Sequence, residues 1–256
     1  MTKKILPAIL VLAICFVGFF SCSKSVNKNI DATKSYFPIA FGKYITYDVD
    51  SIYYGYQLDT SLTGVVDTVC VQYEVKSQMK YTITDTARDR SDDSVVYLMD
   101  VQYRHYDGDF WEPQGAVLFV KVHPDSIVVT QDGSQYTKMK FPVVNGYTWK
   151  GNAKVDIHNP PMAYLGGWNY VYQRKGLSFN NNLHNFDNTV TVMEDDESVN
   201  YPYVDSAVQS YRTYAKEVYA YNIGMVYKEW THWTYLPNRT HCVSGYTVIM
   251  RAVDYN

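Results

Sequence analysis

Histidines and a run of acids are the first residues to question for chemistry. His232, His241 and Cys242 stand around one late hairpin and are ligand types that zinc takes, whereas His105, His123, His158 and His184 are scattered along the chain. A zinc site wants two ligands held close in sequence plus others nearby, so neither a metal nor a cofactor is expected. Hydrolysis of a glycoside needs two carboxylates about 5 to 9.5 Å apart in a cleft. The segment Glu194-Asp195-Asp196-Glu197-Ser198 offers carboxylates, but adjacent acids after a strand read as a solvated turn. Neither a Gly-x-Ser-x-Gly elbow nor a phosphate-binding glycine loop occurs, and a non-enzymatic protein is the expectation. Aromatic side chains are the stronger clue. Tyr164, Trp168, Tyr170 and Tyr172 crowd one segment, and Trp230, Trp233 and Tyr235 lie on one late strand. Exposed rings stack on sugars or fill partner pockets, and buried ones close a core. Tyr164, Trp168, Tyr170, Trp230 and Trp233 are therefore the candidate ligand-facing aromatics.

The elements that must position these residues are strands. Tyr contributes 26 of the 256 residues, Val is abundant and helix formers are sparse, which argues for an all-β protein. Period-two alternation dominates. In residues 43–51, Ile45, Tyr47 and Val49 share one face, and Thr46, Asp48 and Asp50 the other. In residues 69–76, Val69, Val71, Tyr73 and Val75 form the apolar face, with Cys70 opposite. Further strands are predicted at Lys80 to Thr84, Ser94 to Tyr106, Ala116 to His123, Ser126 to Thr130, Tyr136 to Phe141, Thr189 to Met193, Lys216 to Tyr221, Met225 to Tyr235 and Tyr246 to Val253. Turn signals such as Asp132-Gly133 and Asn145-Gly146 separate them closely, so the chain reads as an antiparallel meander of hairpins. Asn159 to Asn188 reads as a long excursion, and Asp205 to Ala215 as a short helix capped by Asp205. The stretches FPIAFGKYI from Phe37 and FPVVNGYTW from Phe141 echo one another; they are read as marks of two related sheet halves, as chance, or as one recurrent way to enter a strand.

Lys3 and Lys4 precede an apolar run from Ile5 to Phe20. A bilayer span needs roughly 20 apolar residues, and this shorter run with its basic start reads as a secretory leader over residues 1–21. Its loss takes the formal net charge from -3 to -5. Lys and Arg are scattered in the remainder, so nucleic acid is not an expected partner. Phe19-Phe20-Ser21-Cys22 resembles the lipobox of bacterial lipoproteins, which implies diacylation of Cys22, a membrane partner through palmitate-like chains and a new N-terminus there. Phe19 and Phe20 depart from the usual leucine and smaller residue, which leaves an ordinary signal site as the other reading. Residues 22–34 then form the lipidated start and a polar tether, and residues 35–256 a single β domain. Ser23 is not the aspartate of inner-membrane retention, and the acidic cluster of surface-exported lipoproteins is missing; together they predict the outer membrane, facing the periplasm. In an exported chain, Cys70 and Cys242 are a candidate disulfide.

Two more resemblances bear on the rest of the chain. Asp followed by Ser or Thr and an aliphatic residue places Ser51, Thr68, Thr86, Ser94, Ser126 and Ser206 in a pattern similar to the O-glycosylation signal of exported Bacteroidetes proteins. The same triplets also start strands after an Asp-Ser or Asp-Thr turn. YFPIAFGKYITYDVDSI from Tyr36, FPVVNGYTWKGN from Phe141, NFDNTVTV from Asn185 and EVYAYNIGMVYKEWTHWTY from Glu217 resemble a group of Bacteroidetes outer-membrane lipoproteins with no assigned activity. That resemblance implies a β-rich lipoprotein, for which an open or partly closed β-barrel of the lipoprotein-carrier kind is the first architecture to expect and a two-sheet sandwich the alternative. The function expected on this basis is binding of an apolar ligand or an envelope protein, with glycan binding in a surface uptake system as the second reading.

Overall fold

The computed structural model describes residues 35–60, 66–91, 94–105, 110–202, 204–238 and 240–256. The expected leader, Cys22 and the expected tether lie outside them, as do Asp93 and the expected turn Asp107-Gly108-Asp109. The described residues form twelve strands: β1 (Tyr44–Thr60), β2 (Val66–Arg88), β3 (Val95–His105), β4 (Glu112–Val122), β5 (Ser126–Gln131), β6 (Ser134–Lys140), β7 (Thr148–Trp149), β8 (Tyr170–Asn180), β9 (Asn185–Val199), β10 (Ser210–Ala220), β11 (Gly224–Tyr235) and β12 (Val243–Tyr255). All pairings are antiparallel. All twelve strands belong to one sheet in the order β6-β5-β4-β3-β2-β1-β12-β11-β10-β9-β8-β7. One continuous ladder excludes the two-sheet sandwich.

The sheet curls until its two edges nearly meet. Gln135 of β6 bridges Lys154, the Thr137 N–H donates to the Gly151 carbonyl at 2.9 Å, and the Trp149 indole N–H donates to the Thr137 carbonyl at 2.7 Å. A partly closed β-barrel is the result, and an edge that would otherwise invite another strand is occupied.

Six strands run from β1 to β6 and six from β7 to β12, and the echoing stretches enter the first strand of each half. The match extends to the backbone. Gly42 and Gly146 both take left-handed angles, φ 77° and 82°. Gly42 donates to Ile83 of β2 and Gly146 to Tyr172 of β8, the second strand of each half. Ile83 and Tyr172 donate back to the carbonyls of Lys43 and Tyr147. The glycine is needed because a side chain disfavours that conformation.

Three sequence expectations change. Residues 69–76 and 80–84 are parts of one strand, β2, because Ser77 and Gln78 between them do not break an extended chain and pair with both β1 and β3. The excursion from Asn159 contains a 3₁₀ helix (Pro160–Leu165) and then β8, since Tyr170-Val171-Tyr172 are strand formers released by Gly166-Gly167. Asp205 to Ala215 is not a helix. Asp205 caps only a turn, its carboxylate accepting from the Ala207 N–H at 2.9 Å, and from Ser210 onward the Tyr- and Thr-rich chain joins β9 and β11 as β10.

The main core fills the barrel with Val120, Ile127, Met139, Tyr170, Tyr172, Val190 and Val192. A second cluster gathers Tyr47, Val218, Val226 and Ala252 around Phe186. Buried Asn181, at the turn between β8 and β9, clamps that hairpin by donating to the carbonyls of Ala252 at 2.9 Å and Val226 at 3.3 Å. No helix among the described residues is long and apolar enough to cross a membrane.

Candidate functional site

Inside this apolar interior sits a charged cluster. Lys138 of β6 reaches Glu194 of β9 at 2.9 Å and Glu217 of β10 at 2.7 Å, and Lys228 of β11 reaches Glu217 at 3.3 Å. The Tyr219 hydroxyl donates to the other Glu217 oxygen at 2.6 Å. Side-chain exposure is 1% for Glu194 and 2% for Glu217. Taking such charges out of water costs several kcal/mol each unless partners satisfy them. Here each carboxylate meets at least one ammonium.

Irregularities of the ladder aim these side chains. Ile127 pairs with Met139 and Val128 with Thr137, which leaves Lys138 as the extra residue of a bulge. On β9, Met193 pairs with Lys216 and Asp195 with Ala215, so Glu194 is the extra residue there. On β11, Val226 is skipped two residues before Lys228. A bulge re-aims the side chains beside it, and three of them surround one cluster.

The cluster's electrostatics follow from burial and from its lysines. Burial opposes ionisation of Glu217, but Lys138 and Lys228 outweigh it and hold the carboxyl at about 2. Burial, followed by the charge of Glu217, raises Glu194. Lys138 is depressed by burial yet raised overall by its two carboxylates. Lys228 stays below the usual lysine value, because burial exceeds what Glu217 returns. Burial also pushes Tyr81 up to about 12, and Tyr47, Tyr170 and Tyr219 well above their usual value; the last three donate, to the Met225 carbonyl, Asn152 and Glu217.

Lys138, Lys228 and Gln131 form a partition with a cavity on either side. The first, about 110 Å³, is lined mainly by apolar groups, among them Phe37, Ile83, Met99, Leu118, Val129 and Met225. The second, about 350 Å³, is lined by Tyr136, Met162, Tyr164, Trp230 and Tyr246. The Lys228 ammonium stands 4.7 Å over the Trp230 ring, and the Tyr164 and Tyr246 hydroxyls are 2.8 Å apart.

Of the candidate aromatics, Tyr164 and Trp230 line the second cavity. Trp168 packs behind both, its ring 6.0 Å from Tyr164 and 5.8 Å from Trp230, and is 4% exposed. Tyr170 is a core residue donating to Asn152 at 2.8 Å. Trp233 points to the other side of β11 and packs on Tyr201 at 5.6 Å. These rings do not form an exposed row. His232 stacks on Tyr164 at 3.9 Å and bonds Thr213 at 3.1 Å. Cys242 is bonded to Cys70, with their Cα atoms 5.3 Å apart. Among the described residues no group of three His, Cys, Asp or Glu side chains is placed to hold a metal.

Glu194 to Ser198 is part of β9 rather than a solvated turn. Glu194 points into the barrel, Asp196 pairs with Arg212, and burial followed by the charge of Glu197 lifts Asp195 to about 6. The hydroxyl sites differ in access. Thr86 and Ser206 are exposed, Ser51, Thr68 and Ser94 half-buried. Ser126 is buried and donates to Asp125 at 2.9 Å.

Sequence reasoning passed over Lys138, Glu217 and Lys228. The signal was faint but present: Glu217 alternates with Ala215 and Tyr219, and Lys228 with Trp230 and His232, so each charge shares a face with core residues.

No family model and no curated protein matches the chain. Among solved structures, one from Bacteroides fragilis NCTC 9343, described as a candidate exported protein with a YmcC-like fold, is 14% identical, with 85% of this chain and 98% of that chain covered and a TM-score of 0.25.

Proposed function

We propose that this chain is a non-enzymatic, lipid-anchored protein of the cell envelope that holds a small apolar or amphipathic ligand inside its barrel. One observation carries the binding reading: a cavity of about 110 Å³ with apolar walls, closed at one end by a charged partition. Apolar walls with a few placed polar groups are the pattern of small-molecule sites, though this cavity is smaller than the roughly 300 to 1,000 Å³ usual for them. The volume is near that of a cavity that takes up about one benzene-sized group, so a short apolar segment fits and a whole long acyl chain does not.

Binding rather than turnover is favoured because the buried acids are committed to partners: Glu217 to two lysines and Tyr219, Glu194 to Lys138. Export is supported by the bonded Cys70 and Cys242, since such bonds persist in oxidising compartments. Ser21-Cys22 and the polar stretch behind it support attachment to the outer membrane on its periplasmic side, and Cys22→Ser is expected to abolish the acyl mass adduct and release the protein from the membrane fraction. An acylated C22S protein would end the anchor reading.

Calorimetric titration with 1-hexanol tests the cavity. The expected result is saturable binding that Leu118→Trp, which fills the cavity, removes without unfolding the protein. Equal binding by a folded L118W protein would place the ligand elsewhere.

A further inference from the structure

The charged partition bears on what kind of ligand the cavity takes; the inference rests on the cavity reading above and goes beyond it. Three donor and acceptor inventories decide the matter. The carboxylate that faces the cavity is engaged on both oxygens: Glu217 accepts from Lys138 and Lys228 on one and from Tyr219 on the other, whereas Glu194, which accepts from Lys138, is not part of the cavity wall. Lys138 gives two of its N–H groups to carboxylates at 2.7 and 2.9 Å and is held between them. Lys228 is different. An ammonium has three donors and no acceptor, and its one acceptor among the described residues is Glu217 at a long 3.3 Å, with the Trp230 face beside it. Its side chain is 19% exposed, and it lines both cavities.

The surplus at the partition is therefore a donor carrying positive charge, placed where an apolar cavity meets a wider one. We propose that Lys228 is the head-group anchor of a ligand that is a short-chain carboxylate: its tail occupies the cavity between Leu118, Val129 and Met225, and its carboxylate meets the Lys228 ammonium. Gln131, on the same partition, supplies a neutral amide beside it. An amine would meet a lysine of its own sign and, in the cavity wall, Glu217, which already accepts on both oxygens. A dianionic phosphate would meet one spare ammonium that already faces Glu217, so a single negative charge is the better match. Burial strengthens the contact, because an ammonium largely removed from water gains more from a new partner than an exposed one, and burial is the leading reason Lys228 is less basic than usual.

Titrating the full chain with hexanoate, 1-hexanol and hexylamine by calorimetry tests the assignment. Hexanoate is expected to bind about tenfold tighter than 1-hexanol, the gain of one charge-assisted hydrogen bond, and hexylamine more weakly than either. Lys228→Met should abolish the preference, so that hexanoate binds no tighter than 1-hexanol to the same variant. Lys228→Gln, which keeps a donor without the charge, is read the same way should the methionine variant not fold. Lys43 also lines the cavity, but its ammonium is bound to the Asn256 carbonyl, and Lys43→Met should keep the preference. If 1-hexanol binds and hexanoate binds no tighter, or if the preference survives in K228M or disappears in K43M alone, the Lys228 assignment is overturned while the cavity reading stands. If none of the three probes binds, both fall.

Discussion

A buried ammonium between two carboxylates and a surface one beside a single carboxylate differ mainly in what removal leaves behind. Lys138→Met strands Glu194 and part of Glu217 in the barrel, and breaking one side of a buried pair costs about 3 to 5 kcal/mol. Lys140, two residues on, meets Asp125 at 3.4 Å with both side chains substantially exposed, and such pairs are worth about 0 to 1 kcal/mol. Urea unfolding of K138M and K140M should show that contrast; equal losses would mean the cluster is not structurally coupled. The same cluster shapes the response to acid. Glu217 is held at about 2 in the folded chain against an ordinary 4.5. Its folded value is depressed, so its contribution is complete above pH 4.5 and is lost as the pH falls toward 2. Asp195 works in the opposite sense: raised to about 6 from 3.8, it favours the folded state progressively as the pH falls through 6 toward 3.8. The unfolding midpoint should therefore rise on going from neutral pH into that window and drop steeply below it. Asp195→Asn should reduce the rise, to which the raised Glu194 contributes in the same sense, and Glu217→Gln should flatten the drop.

Among elements, the ladder between β11 and β12 has one point of very close approach. Gly245, opposite Trp233, has φ +143°, and a Cβ there would lie 2.2 Å from the His232 carbonyl oxygen and 2.6 Å from the Trp233 Cα. Backbone atoms of a paired strand cannot swing aside as a side chain can. Gly245→Ala should cost about 3 kcal/mol from strain and overpacking together, seen as a lower thermal midpoint, and an unchanged midpoint would show that β12 shifts freely. Strands were the most legible part of the sequence, because alternation and Tyr- and Val-rich composition act locally. Their ends were not: β2 continues past Ser77 because pairing with β1 and β3 holds it, information that no local window contains. The helix expected at Asp205 failed for the same reason, since a real turn signal was followed by residues that two neighbouring strands claim. The aromatic segment pointed to the second cavity through Tyr164, but not to the charged partition. Bulges at Lys138 and Glu194 break the parity by which a reader assigns faces, so the residues that matter most there fell out of the pattern meant to reveal them.

At the scale of the molecule, the two six-strand halves join at two places of unequal strength. β1 and β12 form a long ladder from Ile45 opposite Tyr255 to Tyr54 opposite Gly245. β6 and the β7 segment meet through one bridge and two further hydrogen bonds. The matching hydrogen bonds of Gly42 and Gly146 give the two halves the same entry, which explains why the faint echo between Phe37 and Phe141 was legible: the turn demands a glycine at the same place in each. The start of β1 is tied to the residue after β12 at the strong junction, with the Tyr44 N–H donating to the Asn256 side chain at 2.8 Å.

That arrangement has a kinetic consequence. Every neighbouring pair in the sheet joins strands adjacent in the chain except β1 with β12, which must find each other across almost the whole domain. Folding slows as the mean sequence separation of contacts grows. A circular permutant that links Asn256 to Ser35 and opens the chain in the β6 to β7 connection would make β12 and β1 a hairpin like the others, and the weak seam would be the sole contact left to close over distance. Stopped-flow refolding should find the permutant faster than the natural order with an unfolding rate little changed; an unaltered refolding rate would mean that barrel closure, not the meeting of the two ends, limits how quickly this protein forms.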